Sequence, residues 1–285
     1  MVIAVEQLSF RYPGSAEPTL HELGFEIATG EIFGFLGPSG AGKSTTQNIL
    51  TKLLGGYQGS VRVFDRALAS WGSEYYERIG VAFEMPTHFR KLTARENLQA
   101  FGALYQHPTL NPQIVLDQVG LGDSGDLRVE QFSKGMMNRL SVARALLHQP
   151  ELLFLDEPTS GLDPVNSQRI KELIQVQRNA GATIVLTTHN MAIADELCDR
   201  VAFMIDGRIA LIDSPRTLKL RYGQASVLVE YRTGTELSSA VFPLAGLGTN
   251  RNFLELANCD RIQTMHSQEA ALDDIFVQVA GRNLA

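Results

Sequence analysis

Glycines crowd into Gly37-Pro38-Ser39-Gly40-Ala41-Gly42-Lys43-Ser44, between an apolar run at residues 31–36 and a helical pattern at residues 43–54. Few folds accommodate that order. The apolar run reads as a buried strand, and Ile49, Leu50, Leu53 and Leu54 fall on one helix face before Gly55-Gly56 stops it. Glycines let the connecting backbone turn tightly, so that its N–H groups converge, and the new helix adds the positive end of its dipole. In this strand-to-helix context G-x-x-x-x-G-K-[ST] predicts a phosphate cradle. Lys43 is expected to reach the β- and γ-phosphates of ATP and Ser44 to ligate Mg²⁺. Gly37, Pro38, Ser39, Gly40, Ala41, Gly42 and Thr45 complete the nucleotide-binding loop.

A second apolar run, Leu152-Leu153-Phe154-Leu155, ends in Asp156-Glu157. Ligands of open parallel sheets sit at strand C-termini, so this pair is expected beside the cradle. Asp156 would hold Mg²⁺ through its water shell, and Glu157 would orient and deprotonate the attacking water. Another core strand is expected at residues 183–188, and Asp163-Pro164 caps a helix between the two. Residues 201–205 and 208–212 flank Asp206-Gly207, a hairpin signal. This alternation predicts an α/β domain with a largely parallel sheet. Residues 85–150 read instead as a helical insertion. Thr93-Ala94-Arg95-Glu96 fits a capping box opening a helix to about Gln106, with further helical pattern at 112–119 and 137–148. Strands are expected at 227–231, 253–256 and 261–265, and Leu272, Ile275, Phe276 and Val279 share a face of a closing helix. The expected organisation is an ATP-binding domain at 1–220 and a small α+β accessory domain at 221–285.

In this order the motifs resemble the nucleotide-binding subunit of an ATP-binding cassette (ABC) transporter over about residues 1–215. Tyr12 is similar to the aromatic residue that stacks on adenine, a contact worth about 1–3 kcal/mol per base. Phe132-Ser133-Lys134-Gly135-Met136 is similar to the family signature Leu-Ser-Gly-Gly-Gln; Lys134 and Met136 depart from it, whereas Ser133 and Gly135 are retained. A hydroxyl and an open backbone at a helix N-terminus suit a γ-phosphate, which in the family belongs to ATP held by a second copy. Ser160-Gly161-Leu162-Asp163 resembles the dimer-contact loop and implies a nucleotide-side role for Asp163. His189 is similar to the histidine that touches the γ-phosphate. Glu84, in Gly80-Val81-Ala82-Phe83-Glu84-Met85-Pro86, stands where the family usually has a glutamine that helps coordinate Mg²⁺ and links nucleotide state to the membrane partner. A carboxylate is still a hard oxygen ligand, but it repels a γ-phosphate when metal is absent. The signature variant, Glu84 and the ending Glu269-Ala270-Ala271-Leu272-Asp273-Asp274-Ile275-Phe276 together resemble the separate ATPase subunits of ABC-2-type exporters, including drug-efflux systems.

The resemblance implies a P-loop NTPase core with a mixed, largely parallel sheet, an N-terminal antiparallel β part and a helical insertion, plus the small C-terminal α+β appendage. It implies catalysis by Glu157, His189 and Lys43, and Mg²⁺ at Ser44, Asp156 and Glu84. A homodimer, a separate transmembrane permease subunit and a cytoplasmic position on the inner membrane face follow from it as well. Composition agrees: the net charge of -6 gives no general pull toward nucleic acid, which is not expected as a partner. No apolar stretch approaches the roughly 20 residues of a membrane span, and residues 1–10 show no signal peptide. Cys198 and Cys259, in no metal-ligand spacing, read as packing residues of a cytosolic protein. A single-cassette ABC ATPase serving an assembly process is the competing reading. A small-molecule P-loop kinase is a third, which leaves the ordered set Ser133, Asp156, Asp163 and His189 unexplained.

Overall fold

The computed structural model describes residues 1–85, 87–223, 225–233, 236–258, 261–268 and 270–281; Pro86, Cys259 and Glu269, named above, lie outside the described residues. The chain divides into two compact units, Met1–Ile212 and Asp213–Ala285. The division precedes the helix Pro215–Tyr222 instead of cutting it near residue 220, because that helix packs on the last helix of the chain, Leu272–Ala280.

The first unit opens with β1 (Ile3–Phe10) and β2 (Leu20–Ile27), then β3 (Ile32–Leu36), α1 (Lys43–Leu50), β4 (Gln58–Val63), β5 (Arg66–Ala67) and β6 (Ile79–Ala82). The helical insertion holds α2 (Ala94–Gly102), α3 (Pro112–Gln118) and α4 (Lys134–Leu146). The chain returns through β7 (Leu152–Asp156), α5 (Pro164–Asn179), β8 (Thr183–Thr188), α6 (Met191–Leu197), β9 (Arg200–Ile205) and β10 (Arg208–Asp213). An antiparallel sheet runs β2-β1-β4-β5, and the central six-stranded sheet runs β10-β9-β3-β8-β7-β6. In the central sheet β6, β7, β8, β3 and β9 are parallel. Every residue of β3, β7 and β8 is buried, as expected of strands covered on both faces. Phe33 and Phe35 join the two sheets: Phe25 of β2 stands edge-on to Phe35, ring centres 5.1 Å apart. Asp206 and Gly207, with φ of 46° and 71°, form the two-residue turn expected before β10.

Several boundaries depart from expectation. Helix α1 ends at Leu50, not Leu54, and Leu53 is exposed. Lys52 takes a left-handed φ of 61°; its N–H donates to the Ile49 carbonyl and that of Leu53 to the Asn48 carbonyl, each 2.9 Å, which closes the helix before the two glycines. Helix α2 opens on the expected Thr93–Glu96 capping box but stops at Gly102, and Tyr105 leaves to stack on His148 at 4.0 Å. Helix α4 begins at Lys134, since Ser133 accepts a hydrogen bond from the Met136 N–H at 3.2 Å. It ends before His148, which bonds the Ile79 carbonyl at 2.9 Å.

The second unit contains α7 (Pro215–Tyr222), β11 (Ser226–Thr233), β12 (Glu236–Pro243), α8 (Arg251–Ala257), β13 (Ile262–Gln268) and α9 (Leu272–Ala280). Its sheet runs β12-β11-β13, all antiparallel, around Val227, Val229 and Phe242. Residues 253–256, expected as a strand, lie in α8. Asn250 caps that helix by accepting from the Phe253 N–H at 3.1 Å, and Phe253 packs edge-on to Phe242.

The far end of α1 depends on a buried phenol. Tyr75, fully enclosed, donates its hydroxyl to the Leu50 carbonyl at 2.7 Å, meeting an acceptor that the helix end leaves open. Tyr75→Phe strands that acceptor and is expected to cost about 1–2 kcal/mol, read as a lower urea midpoint at unchanged slope.

Candidate active site

The parallel register brings the candidate residues to one edge. Leu36 lies opposite Thr188, and Asp156 opposite Thr187. The glycine loop leaves β3, Asp156-Glu157 ends β7, His189 follows β8 and Glu84 lies just past β6. All four segments therefore emerge at the C-terminal edge of the sheet.

Within the loop Gly37 admits no side chain, since a Cβ there would stand 2.2 Å from the Met204 carbonyl oxygen. Gly42 caps α1 at φ 102°, and no side chain occupies the first-turn N–H groups, so they point out of the helix head. Pro38, Ser39 and Gly40 form the outer turn, with the Ala41 N–H bonded to the Pro38 carbonyl at 3.2 Å. The buried ammonium of Lys43 donates to the Gly37 and Pro38 carbonyls at 2.6 and 2.9 Å. Burial lowers its pKa; the carboxylates of Glu157, Asp156 and Glu84 act in the opposite direction. One cation thus faces three acidic groups from two chain segments, the end of β7 and the loop after β6.

The Ser44 hydroxyl donates to Asp156 Oδ2 at 3.4 Å, and the Thr187 hydroxyl donates to Asp156 Oδ1. Burial raises the Asp156 pKa; the hydroxyl of Thr187 opposes this, and the charges of Glu84 and Glu157 reinforce it. Ser44, Asp156 and Glu84 together present only oxygen donors, the set Mg²⁺ prefers. Among the described residues no three His, Cys, Asp or Glu side chains gather around a metal position.

Glu157 is held from three directions. The Thr188 hydroxyl donates to Oε2 at 2.9 Å, the His189 N–H donates to Oε1 at 2.8 Å, and His189 Nδ1 lies 2.6 Å from the same oxygen. The Glu157 backbone has φ 48°, a left-handed conformation costing an L-residue about 1–2 kcal/mol. The His189 ring remains two-thirds exposed, at 67%. Thr187, Thr188 and Asn138, whose amide meets the loop after Glu157, were not among the candidates. The signal available for the threonines was a polar pair closing an otherwise apolar strand; for Asn138 there was none beyond its place after the signature.

Tyr12 is partly exposed, edge-on to Phe10, its hydroxyl 3.2 Å from Thr45 Oγ1, which ties it to the head of α1. Two candidate groups stand outside the cluster of bonds around Lys43. The Ser133 hydroxyl caps α4, and Asp163 caps α5, its Oδ1 accepting from the Asn166 N–H at 3.0 Å. Bonds to the Asn166 backbone and side chain hold the Asp163 carboxyl below its ordinary pKa. The segment after Glu84 is anchored by the insertion: Arg144 donates to the Thr87 carbonyl at 2.8 Å and Asn97 Oδ1 accepts from the Phe89 N–H at 2.9 Å.

Comparison with known proteins bears on this geometry. Residues 20–160 match the ABC transporter family, and residues 225–269 match a fluoroquinolone efflux ABC transporter C-terminal domain. A fluoroquinolones export ATP-binding protein of Mycobacterium tuberculosis is 52% identical over 284 residues, covering 99% of this chain and 94% of the relative. A daunorubicin resistance ATP-binding protein, DrrA3 of Streptomyces coeruleorubidus, is 31% identical, covering 97% and 89%. A solved ATP-binding subunit of an ABC transporter superposes with a TM-score of 0.71 over 98% of this chain and 100% of that one; at 24% identity this speaks to the fold alone. The chain belongs to the ATP-binding subunits of ABC transporters, in the ABC-2 exporter branch, and is an ATPase that serves export.

Proposed function

We propose that two copies of the chain face each other around two ATP molecules and drive a separate transmembrane permease, from a cytoplasmic position on the inner membrane face. Each site takes the glycine loop of one copy and Ser133 and Gly135 of the other, with Asp163 at the contact between them. The observation that carries this reading is the split within one chain. Lys43, Ser44, Asp156, Glu157 and His189 gather at one sheet edge, whereas among the described residues the Ser133 hydroxyl is bonded into the head of its own helix. No helix among the described residues is long and apolar enough to cross a membrane, which agrees with a separate permease. Both fluoroquinolone matches, one to the C-terminal unit and one to the whole chain, support fluoroquinolone-type drugs as the exported class.

In this reading the loop amides and Lys43 bind the β- and γ-phosphates, and Tyr12 stacks on the base. Ser44, Asp156 and Glu84 would hold Mg²⁺, which would neutralise negative charge on the phosphates. Glu157 orients water for in-line attack and takes its proton, while Thr188 and His189 keep the carboxylate aimed. The outer edge of His189 faces the γ-phosphate. ATP bridges the two copies, and cleavage to ADP and phosphate removes the bridge.

Glu157→Gln keeps the shape of the side chain but not the base. Turnover is expected to fall by about 10²–10⁴-fold with ATP binding retained, and gel filtration in MgATP should show a stable dimer. Hydrolysis at the native rate would remove Glu157 from this role.

Glu84 adds a negative charge where the phosphates end. The gain in ATP affinity on adding Mg²⁺, measured by calorimetry, is expected to be larger in the native protein than in Glu84→Gln. Equal gains reject the assignment of Glu84.

Purification from membranes should yield a polytopic partner in stoichiometric amount. Cells making both proteins should accumulate less fluoroquinolone, and Glu157→Gln should abolish the difference. Recovery of a soluble complex alone would favour an assembly ATPase.

A further inference from the structure

Asn138 lies on α4, close behind the Ser133 cap, and is buried at 3% exposure. Its amide nitrogen is 3.1 Å from the Ser160 carbonyl oxygen and 3.4 Å from those of Glu157 and Pro158. Three acceptors facing one end of the amide decide which end is the NH₂. The oxygen, Oδ1, is then buried with no partner among the described residues. An orphaned acceptor is costly, and an apolar side chain of this size would avoid it, so the donor end is what the position requires. The same loop also touches the head of α4, where a Cβ on Gly135 would stand 3.0 Å from the Gly161 carbonyl oxygen and 3.2 Å from Leu162 Cδ2. The loop begins at Glu157, whose left-handed backbone persists only if its surroundings impose it.

We propose that Asn138 is a positioning residue whose amide couples the head of α4, with Ser133 and Gly135, to the backbone of Glu157 in the same chain. The inference rests on the dimer reading: Ser133 and Gly135 meet the ATP of the facing copy, so Asn138 links occupancy there to alignment of the base in its own site. A small displacement of α4 then moves the Glu157 loop through both contacts, and misplacement of a reacting group by about 1 Å can cost on the order of 10²-fold.

The test uses the full-length chain. Asn138→Ala is expected to lower kcat about tenfold or more with MgATP affinity within about twofold. Asn138→Gln keeps the amide and is expected to return kcat to within about threefold of native. Asn138→Asp is nearly isosteric: protonated it donates to the carbonyls, ionised it repels them, so its kcat relative to native should fall as pH rises from about 5 to about 8. The proposal is overturned by an Asn138→Ala kcat within about twofold of native, by equally slow Ala and Gln variants, or by an Asp-to-native ratio that ignores pH. If the Ala variant does not fold, the Gln and Asp variants decide. A native Asn138→Ala rate while Glu157→Gln still forms its MgATP dimer overturns this inference alone; absence of that dimer overturns the reading beneath it.

Discussion

Strand β8 pairs in parallel with β3 on one side and β7 on the other, and the candidate site hangs on that register. Side chains alternate along a strand, so a slip of one residue exchanges its faces. Thr187 would then leave Asp156, and Thr188 would leave Glu157, the carboxylates they now serve. The slip is resisted by packing: every residue of β3, β7 and β8 is enclosed, so exchanging faces would set side chains of the wrong size against both covering layers at once. Packing energy far from the chemistry thus sets where the carboxylates point.

The same register lets one strand organise two acids differently. Asp156 sits at the end of β7, shared between a hydroxyl from α1 and one from β8, and its burial favours the neutral form. Glu157, one residue later, has left the strand with a left-handed backbone and is gripped by Thr188 and by both the backbone and the ring of His189. The first arrangement suits an acid awaiting a cation; the second suits one whose direction must not vary. Adjacent positions reach different surroundings because the strand ends between them.

What was legible in the chain follows from how local each signal is. The glycine loop, the capping box at Thr93 and the Asp163-Pro164 helix start are written in consecutive residues, and each stands where its pattern indicated. The end of α1 was hidden because Lys52, not glycine, takes the left-handed position, and only the bonds of Lys52 and Leu53 reveal the stop. Residues 253–256 misled because a short apolar run carries no period of its own; Asn250 and the packing of Phe253 on Phe242 make it a helix. Asn138 was silent because its meaning lies in three carbonyls about twenty residues away in sequence, and the threonines closing β8 because theirs lies in the carboxylates that end β7.

Magnitudes show which of these interactions governs the site when phosphates arrive. A neutral hydrogen bond contributes about 1 kcal/mol net, so loss of the Lys43 bonds to its own loop is a modest cost. Two unit charges about 4 Å apart interact by about 4 kcal/mol at an effective dielectric of 20. Lys43 already answers to Glu157, Asp156 and Glu84, and a triphosphate adds more negative charge beside them. One ammonium and the partial charge of a helix head do not balance that sum. In the proposed arrangement a divalent cation would change the sign of the problem, because the acids that repel bare phosphate would become its ligands and its orienting groups. A glutamine at position 84 would contribute an oxygen without the charge; the glutamate strengthens both the repulsion before the cation binds and the attraction afterwards. In the proposed arrangement the acidic surplus at this sheet edge would let the site discriminate between free and metal-bound nucleotide, with the chain's own charges, more than its hydrogen bonds, setting that discrimination.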